Sequence, residues 1–220
     1  MSTLYVNTTK YCRTFLPAIF VERYGLDDIR LVTVDLEDPE FKRLFPYRKV
    51  PSLVTDSERQ LTEAMALNYY ILRSAKSHQE EIATLLGDNK DLWTKAEIIR
   101  WESFANSDYL NELNNWAKPL VGLEPYDAKT INTGKERVDT MTPIFEDHFR
   151  DNRFLVGDEI TLADLTAVTT FSFGLRFVLD AEWRKEHPCI MRWFNQVAGC
   201  AILREFYKDF KFVEVRQPMH

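Results

Sequence analysis

A chain of 220 residues, 45% hydrophobic and 28% charged, carries enough apolar material for one compact domain or two small ones with real cores. Its net charge of −6 supplies no global attraction for nucleic acid or an anionic membrane, so direct nucleic-acid binding is set aside. Cys12, Cys189 and Cys200 are odd in number and show neither a C-x-x-C pair nor metal-ligand spacing, which points to a reducing compartment and no metal. The start "MSTLYVN" lacks a basic leader with an apolar core, and no run approaches the roughly 18 apolar residues of a membrane span. A cytoplasmic protein, with the nucleus as a second location, is the expectation.

In chain order, "TLYV" and "IRLVTVD" are β-rich runs, and "RTFLPAIFVERYG" between them repeats apolar residues at helical spacing up to a glycine stop. "DPEFKRLF" predicts a short helix entered through proline, "PSLV" a strand, "RQL" its partner across the turn-like "TDSE", and "TEAMALNYYILRSA" a helix. The order is β-α-β-α-β-β-α over residues 1–77. Residues 78–90, polar with a glycine, read as a linker. From 91 to 220 only helical patterns remain. "DLWTKAEIIRWESFANSDYLNEL" is the first long one, followed by "KERVDTMTPIFEDHFRDN", which Pro143 interrupts, "TLADLTAVTTFSFGLRFVL" and "CIMRWFNQVAG". The fold class expected is α/β plus all-α, a mixed-sheet domain before a helical one, with no internal repeat.

Three places carry specific chemistry. Proline has no N–H and is tolerated at the first residue of a strand, where Pro51 stands, and Val50-Pro51 is also a candidate cis bond. Glu63 starts the helix after the strand pair, where an acid behind a Thr62 cap complements the helix terminus. Thr161 and Asp164, three apart before an apolar run, form an N-capping box and read as fold-bearing.

This order, with X-Pro before the third strand and an acid at the next helix start, resembles the cytosolic glutathione transferase fold, a thioredoxin-like domain followed by a helical bundle. Within that superfamily the chain resembles the amino-terminal domain of the gamma subunit of eukaryotic translation elongation factor 1, fungal forms especially. The residues that carry this are "LTEAMALNYYI", "IIRWESFANSD", "PLVGLEPYDAK", "ITLADL", "EWRKEHPCIMRWFN" and "EFYKDFKF". That subunit continues into a second domain, so this chain is expected to be either a fragment or a stand-alone relative.

The resemblance implies a glutathione site. Val50 would offer its backbone to the ligand's cysteinyl unit beside a cis Pro51, unless Pro51 merely shapes the fold. Glu63 would face the γ-glutamyl ammonium. Ala64 stands where many transferases have Ser or Thr, and a lost hydrogen bond to a charged group costs about 1.5–3 kcal/mol, which weakens glutathione roughly tenfold or more. Lys49, with Arg48, is a candidate for the glycine carboxylate, or else a solvated surface charge. Asp108, on the first long helix, is a candidate ligand contact from a partner subunit, or a solvated charge. Tyr47 matches the place of an aromatic key inserted into the partner of a homodimer, with core filling as the alternative. No S-P or C-P motif opens the helix in "VNTTKYCRTFLP": Tyr11 and Cys12 are the candidate catalytic residues, with an inert thiol the favoured reading of Cys12.

Two functions compete. One is a noncatalytic scaffold associated with translation elongation, which dimerises or docks elongation factor 1 subunits. The other is an active glutathione transferase with glutathione as cosubstrate and no further cofactor; a redox enzyme using Cys12 trails both. Ala64 and the missing activator favour the scaffold, while the Val-Pro step and Glu63 keep the enzyme open.

Overall fold

The computed structural model describes residues 1–7 and 13–218, which divide into two compact units, Met1–Leu86 and Gly87–His220. The first contains β1 (Ser2–Val6), α1 (Phe15–Arg23), β2 (Ile29–Thr33), α2 (Pro39–Leu44), β3 (Ser52–Val54), β4 (Gln60–Thr62), α3 (Ala64–Ser74) and α4 (Gln79–Leu86). The sheet order is β2-β1-β3-β4. β1 runs parallel to β2, with Leu4 opposite Leu31, and antiparallel to β3, with Leu4 opposite Leu53. A parallel pair needs a crossover, and α1 supplies it. Side chains alternate along β1, so Leu4 and Val6 are buried on one face while the Tyr5 ring meets Phe41 and Phe45 on the other, at 5.3 and 5.9 Å. Asp38 starts α2 by accepting a 2.8 Å bond from Phe41 N, with Pro39 in the first turn where its missing N–H costs nothing.

Residues 78–90 are not a simple linker. They contain α4, whose Ile82 and Leu85 are buried and which belongs to the first unit. The polar composition that suggests a linker is only its outer face. Glu81 is gripped by Arg23 through bonds of 3.0 and 2.7 Å and by the Tyr24 hydroxyl at 2.8 Å. Burial raises the Glu81 carboxyl, but these donors outweigh it and hold the group below its usual range.

The second unit is helical: α5 (Leu92–Ser103), a π-helical segment (Phe104–Tyr109), α6 (Leu110–Leu120), α7 (Ala128–Asp151), α8 (Leu162–Phe177), α9 (Ala181–Glu186), α10 (Pro188–Ala198) and α11 (Arg204–Tyr207). The first long helix of the sequence is therefore two helices joined by π turns. Pro143, in contrast, does not end α7. It lies on the exposed side, so the Asp139 carbonyl it cannot bond faces water. α8 is buried on all sides from Leu162 to Leu175, which fits its nearly uninterrupted apolar and small residues. Around it Tyr109, Phe145, Phe149, Phe171 and Trp193 form one aromatic core, with Phe149 stacked on Trp193 at 4.7 Å and Phe145 edge-on to Phe171 at 5.1 Å.

α6 and α7 cross closely at Gly134. A Cβ there would lie 2.7 Å from Trp116 N and 2.9 Å from Glu112 O, both backbone atoms that cannot swing aside. Gly134→Ala is accordingly expected to destabilise the protein by about 1–3 kcal/mol in denaturant unfolding. A loss under about 0.5 kcal/mol would show that the two helices can separate at little cost.

Candidate functional site

The turn before β3 is built from local bonds. Arg48 N donates to Phe45 O at 2.8 Å, Arg48 takes a positive φ of 50°, and Ser52 Oγ donates to Lys49 O at 2.7 Å. The Val50-Pro51 bond is cis, and Pro51 is buried at the entrance to β3. The strand ladders begin at Ser52, opposite Tyr5 and Thr62, so Val50 stands outside the sheet register. Arg48 is already paired with Glu37 at 3.1 Å, whereas the Lys49 ammonium lies 5.3 Å from the Tyr47 ring centre. Glu37 sits below the usual carboxylate range, chiefly through its bond to Lys42. Tyr47 is 83% exposed, which removes core filling as its role.

Glu63 differs from its simplest expectation. Thr62 closes β4, and Glu63 itself takes the cap position of α3, its carbonyl accepting from Leu67 N at 2.9 Å. Its φ is +73° and its side chain makes no capping bond. A non-glycine residue at positive φ is strained by about 1–3 kcal/mol, and here the strain leaves the carboxylate exposed beside the first N–H groups of an 11-residue helix. That pairing suits a zwitterion: the acid for an ammonium, the helix terminus for a carboxylate. Ala64, buried at the first helical position, contributes a backbone N–H and no hydroxyl.

Asp108 is exposed on the π-helical segment and not on a regular helix. Tyr11 and Cys12 lie outside the described residues. Among the described residues, Asn7 accepts a 2.8 Å bond from Thr14 Oγ1 at the start of α1. Asp164 is buried and accepts four donors: Leu155 N at 2.9 Å, Thr161 N at 3.0 Å, Thr161 Oγ1 at 3.1 Å and Trp193 Nε1 at 2.8 Å. Burial pushes this carboxyl up, and the four bonds oppose that rise. Thr161 and Asp164 thus complete the capping box and serve the fold. Among the described residues no cluster of His, Cys, Asp or Glu could hold a metal.

Among the buried polar groups that no sequence motif marks, Asn68 and Glu102 stand out. Asn68 of α3 is buried with Oδ1 unpartnered among the described residues. Glu102 of α5 is 5% exposed, with a single 3.3 Å bond from Thr166 Oγ1 of α8. Its spacing from Ile98, four residues earlier on the buried face, was the available signal. Burial pushes the Glu102 carboxyl up to about 8, against the small opposing effect of Thr166.

The native state then holds a proton at Glu102 that the unfolded chain releases above about pH 4.5. Stability conferred by this proton is complete below that value and is lost as the pH climbs toward about 8. The wild type should therefore lose up to ~1.4 kcal/mol per pH unit across this window relative to Glu102→Gln, with the two converging in acid. A difference that stays constant with pH would show that Glu102 folds ionised.

Comparison with known proteins supplies the lineage. The model for the glutathione S-transferase N-terminal domain matches residues 4–73, and that for the C-terminal domain residues 105–199. Elongation factor 1-gamma 1 of Saccharomyces cerevisiae is 39% identical over 96% of this chain, which spans only 50% of that relative's length. A putative elongation factor 1 gamma homolog of the same yeast is 38% identical, covering 96% of this chain and 94% of its own. Glutathione S-transferase psoE of Aspergillus fumigatus is 32% identical over 96% of this chain and 86% of its own. The crystal structure of the GST-like domain of yeast elongation factor 1-gamma superposes with a TM-score of 0.85 at 38% identity, over 100% of this chain and 98% of that one. The chain belongs to the glutathione S-transferase family, within its elongation factor 1-gamma branch.

Proposed function

We propose that this chain is a glutathione-transferase-like docking module of the elongation factor 1-gamma type, which dimerises and holds other elongation factor 1 subunits during translation elongation in the cytoplasm. The observation that carries the reading is the 39% identity to elongation factor 1-gamma 1 of yeast and the 38% identity to its putative homolog, each along 96% of the chain. Surface chemistry supports self-association. α5 exposes Leu92, Trp93 and Ile99, with Ala96 between them, as an apolar stripe along one side of the helix. Tyr47, equally exposed, offers an aromatic anchor of the kind that interfaces favour. In sedimentation analysis the protein is expected to run as a dimer, and Trp93→Glu with Ile99→Glu to give a folded monomer. Mixing the wild type with purified elongation factor 1 subunits should yield a stable complex. A monomeric wild type that binds none of them would defeat this reading.

A second reading, glutathione conjugation, draws on one specific feature, the strained Glu63 at the start of α3 beside the turn that carries Val50 and Pro51. On this reading the Val50 backbone, the Glu63 carboxylate and the helix terminus hold reduced glutathione, while the absence of a hydroxyl at Ala64 leaves the grip weak. Calorimetric titration is expected to give a dissociation constant in the high micromolar to millimolar range that Glu63→Ala weakens about tenfold or more. Equal heats from wild type and variant would remove Glu63 from the site. Robust turnover with an electrophilic substrate would move the assignment from scaffold to enzyme.

A further inference from the structure

Residues 213–216 form neither helix nor strand, yet they are tied to the corner where α8 passes into α9. Val213 N donates to Leu175 O of α8 at 2.9 Å, and Arg184 Nη1 of α9 donates to Val213 O at 2.5 Å. The chain then bends at Glu214 and Val215. Glu214 O accepts from Ala181 N at 3.2 Å, and the Glu214 carboxylate meets Arg184 Nη2 at 3.0 Å. Arg216 turns inward, its backbone N and its Nε lying 3.5 and 3.6 Å from Asp180 Oδ2 and its guanidinium 5.9 Å from the Trp116 ring centre of α6.

These are the contacts of a bound peptide more than of a core segment. The strap is held through main-chain atoms of Val213 and Glu214, while Val215 is 83% exposed and the Glu214 side chain stands largely in solvent. Only Arg216 enters a pocket, half-buried between a carboxylate and an indole. Main-chain bonds that supply hold, with a pocket that reads one side chain, are the division of labour in peptide recognition. The Arg216 bonds are long, and an ion pair exposed on the Glu214 side adds little, so the strap is held weakly.

The surface beneath does not need the strap. Asp180 caps α9 by accepting from Trp183 N at 3.2 Å, and Arg184 is also placed by Leu179 O at 3.5 Å and by the Phe212 ring at 5.0 Å. Both walls therefore keep their positions when residues 213–216 leave. Asp180, 6% exposed, would then be a buried carboxylate without its cation, a state that a second arginine relieves.

We propose that the α8–α9 corner is a peptide-docking groove, filled in cis by residues 213–216 and open in trans to a partner segment of the same chemistry. That chemistry is an arginine for Asp180 and Trp116, with an acid two residues before it for Arg184. A tethered strap competes at an effective concentration on the order of millimolar, so the partner must displace it. Neither the α5 stripe nor the Glu63 turn takes part.

Fluorescence anisotropy with a labelled peptide of residues 213–218 tests this on the full chain. Arg216→Ala loosens the chain's own strap without touching the groove, and this variant is expected to bind the peptide saturably and about tenfold more tightly than the wild type does. The same peptide with glutamate in place of its arginine should bind neither protein. Hydrogen exchange adds a readout that needs no ligand: the Val213 amide should exchange about tenfold faster in Arg216→Ala, with the amides of α8 unchanged. Failure of Arg216→Ala to bind saturably, equal affinity for the arginine and glutamate peptides, or equal affinity of the two proteins would overturn the proposal. So would a Val213 amide that is as protected as the centre of α8 in both proteins.

Discussion

The helical unit depends on one buried carboxylate. Asp164 sits at the first turn of α8 and gathers the backbone N–H groups of Leu155 and Thr161, the Thr161 hydroxyl and the Trp193 indole. Those donors come from the loop before α8, from its cap and from α10, so a single side chain fixes the entry of the central helix and the seat of the tenth. Breaking such a buried, fully bonded group leaves several donors without partners, at a cost of about 3–5 kcal/mol. The aromatic core closes over this point through Phe149 and Trp193, whose rings stack 4.7 Å apart. Glu146 repeats the device on α7, accepting from Cys189 N and Ile190 N at the start of α10.

The first unit relies on backbone geometry more than on a buried charge. Its proline turn is tied by Ser52 and Arg48 bonds to neighbouring carbonyls, and its third helix begins at a residue held at positive φ. Strain of this kind persists only where the surroundings over-determine it, and β4 on one side and α3 on the other do so here. The exposed acid beside a helix terminus is therefore part of the fold itself, since the residue that carries it also joins β4 to α3.

α5 joins two opposite demands in twelve residues. One side carries Ile98, Trp101 and Glu102 into the interior, and the other leaves Leu92, Trp93 and Ile99 in solvent. The π turns that follow interrupt the regular bonding pattern, and Thr170 Oγ1 of α8 approaches the Ala105 carbonyl to 3.3 Å there. π turns shift the register of side chains between two helical stretches, which is how α5 and α6 each keep an apolar face toward α8.

The sequence by itself determined the division into a mixed-sheet half and a helical half, the β-α-β-α-β-β-α order of residues 1–77 and the Asp164 capping box, and its motifs carried the resemblance to the family. The structural part is set by short-range chemistry: β-rich runs in β1 and β2, 3.6-residue spacing in the helices, and a Thr-x-x-Asp cap. Tertiary structure alone decided the rest. Residues 78–90 read as polar linker because only Ile82 and Leu85 face inward, and their burial depends on the docking of α4 through Arg23, Tyr24 and Glu81. The positive φ of Glu63 is imposed by the meeting of β4 and α3, which no local pattern encodes. Tyr47 and Trp93 are as apolar as core residues, and only the packing leaves them outside. Glu102 shows the converse: an acid that local chemistry would place in water as a carboxylate is carried inward, protonated, by the helix it belongs to, because its neighbours on that face have more apolar surface to bury.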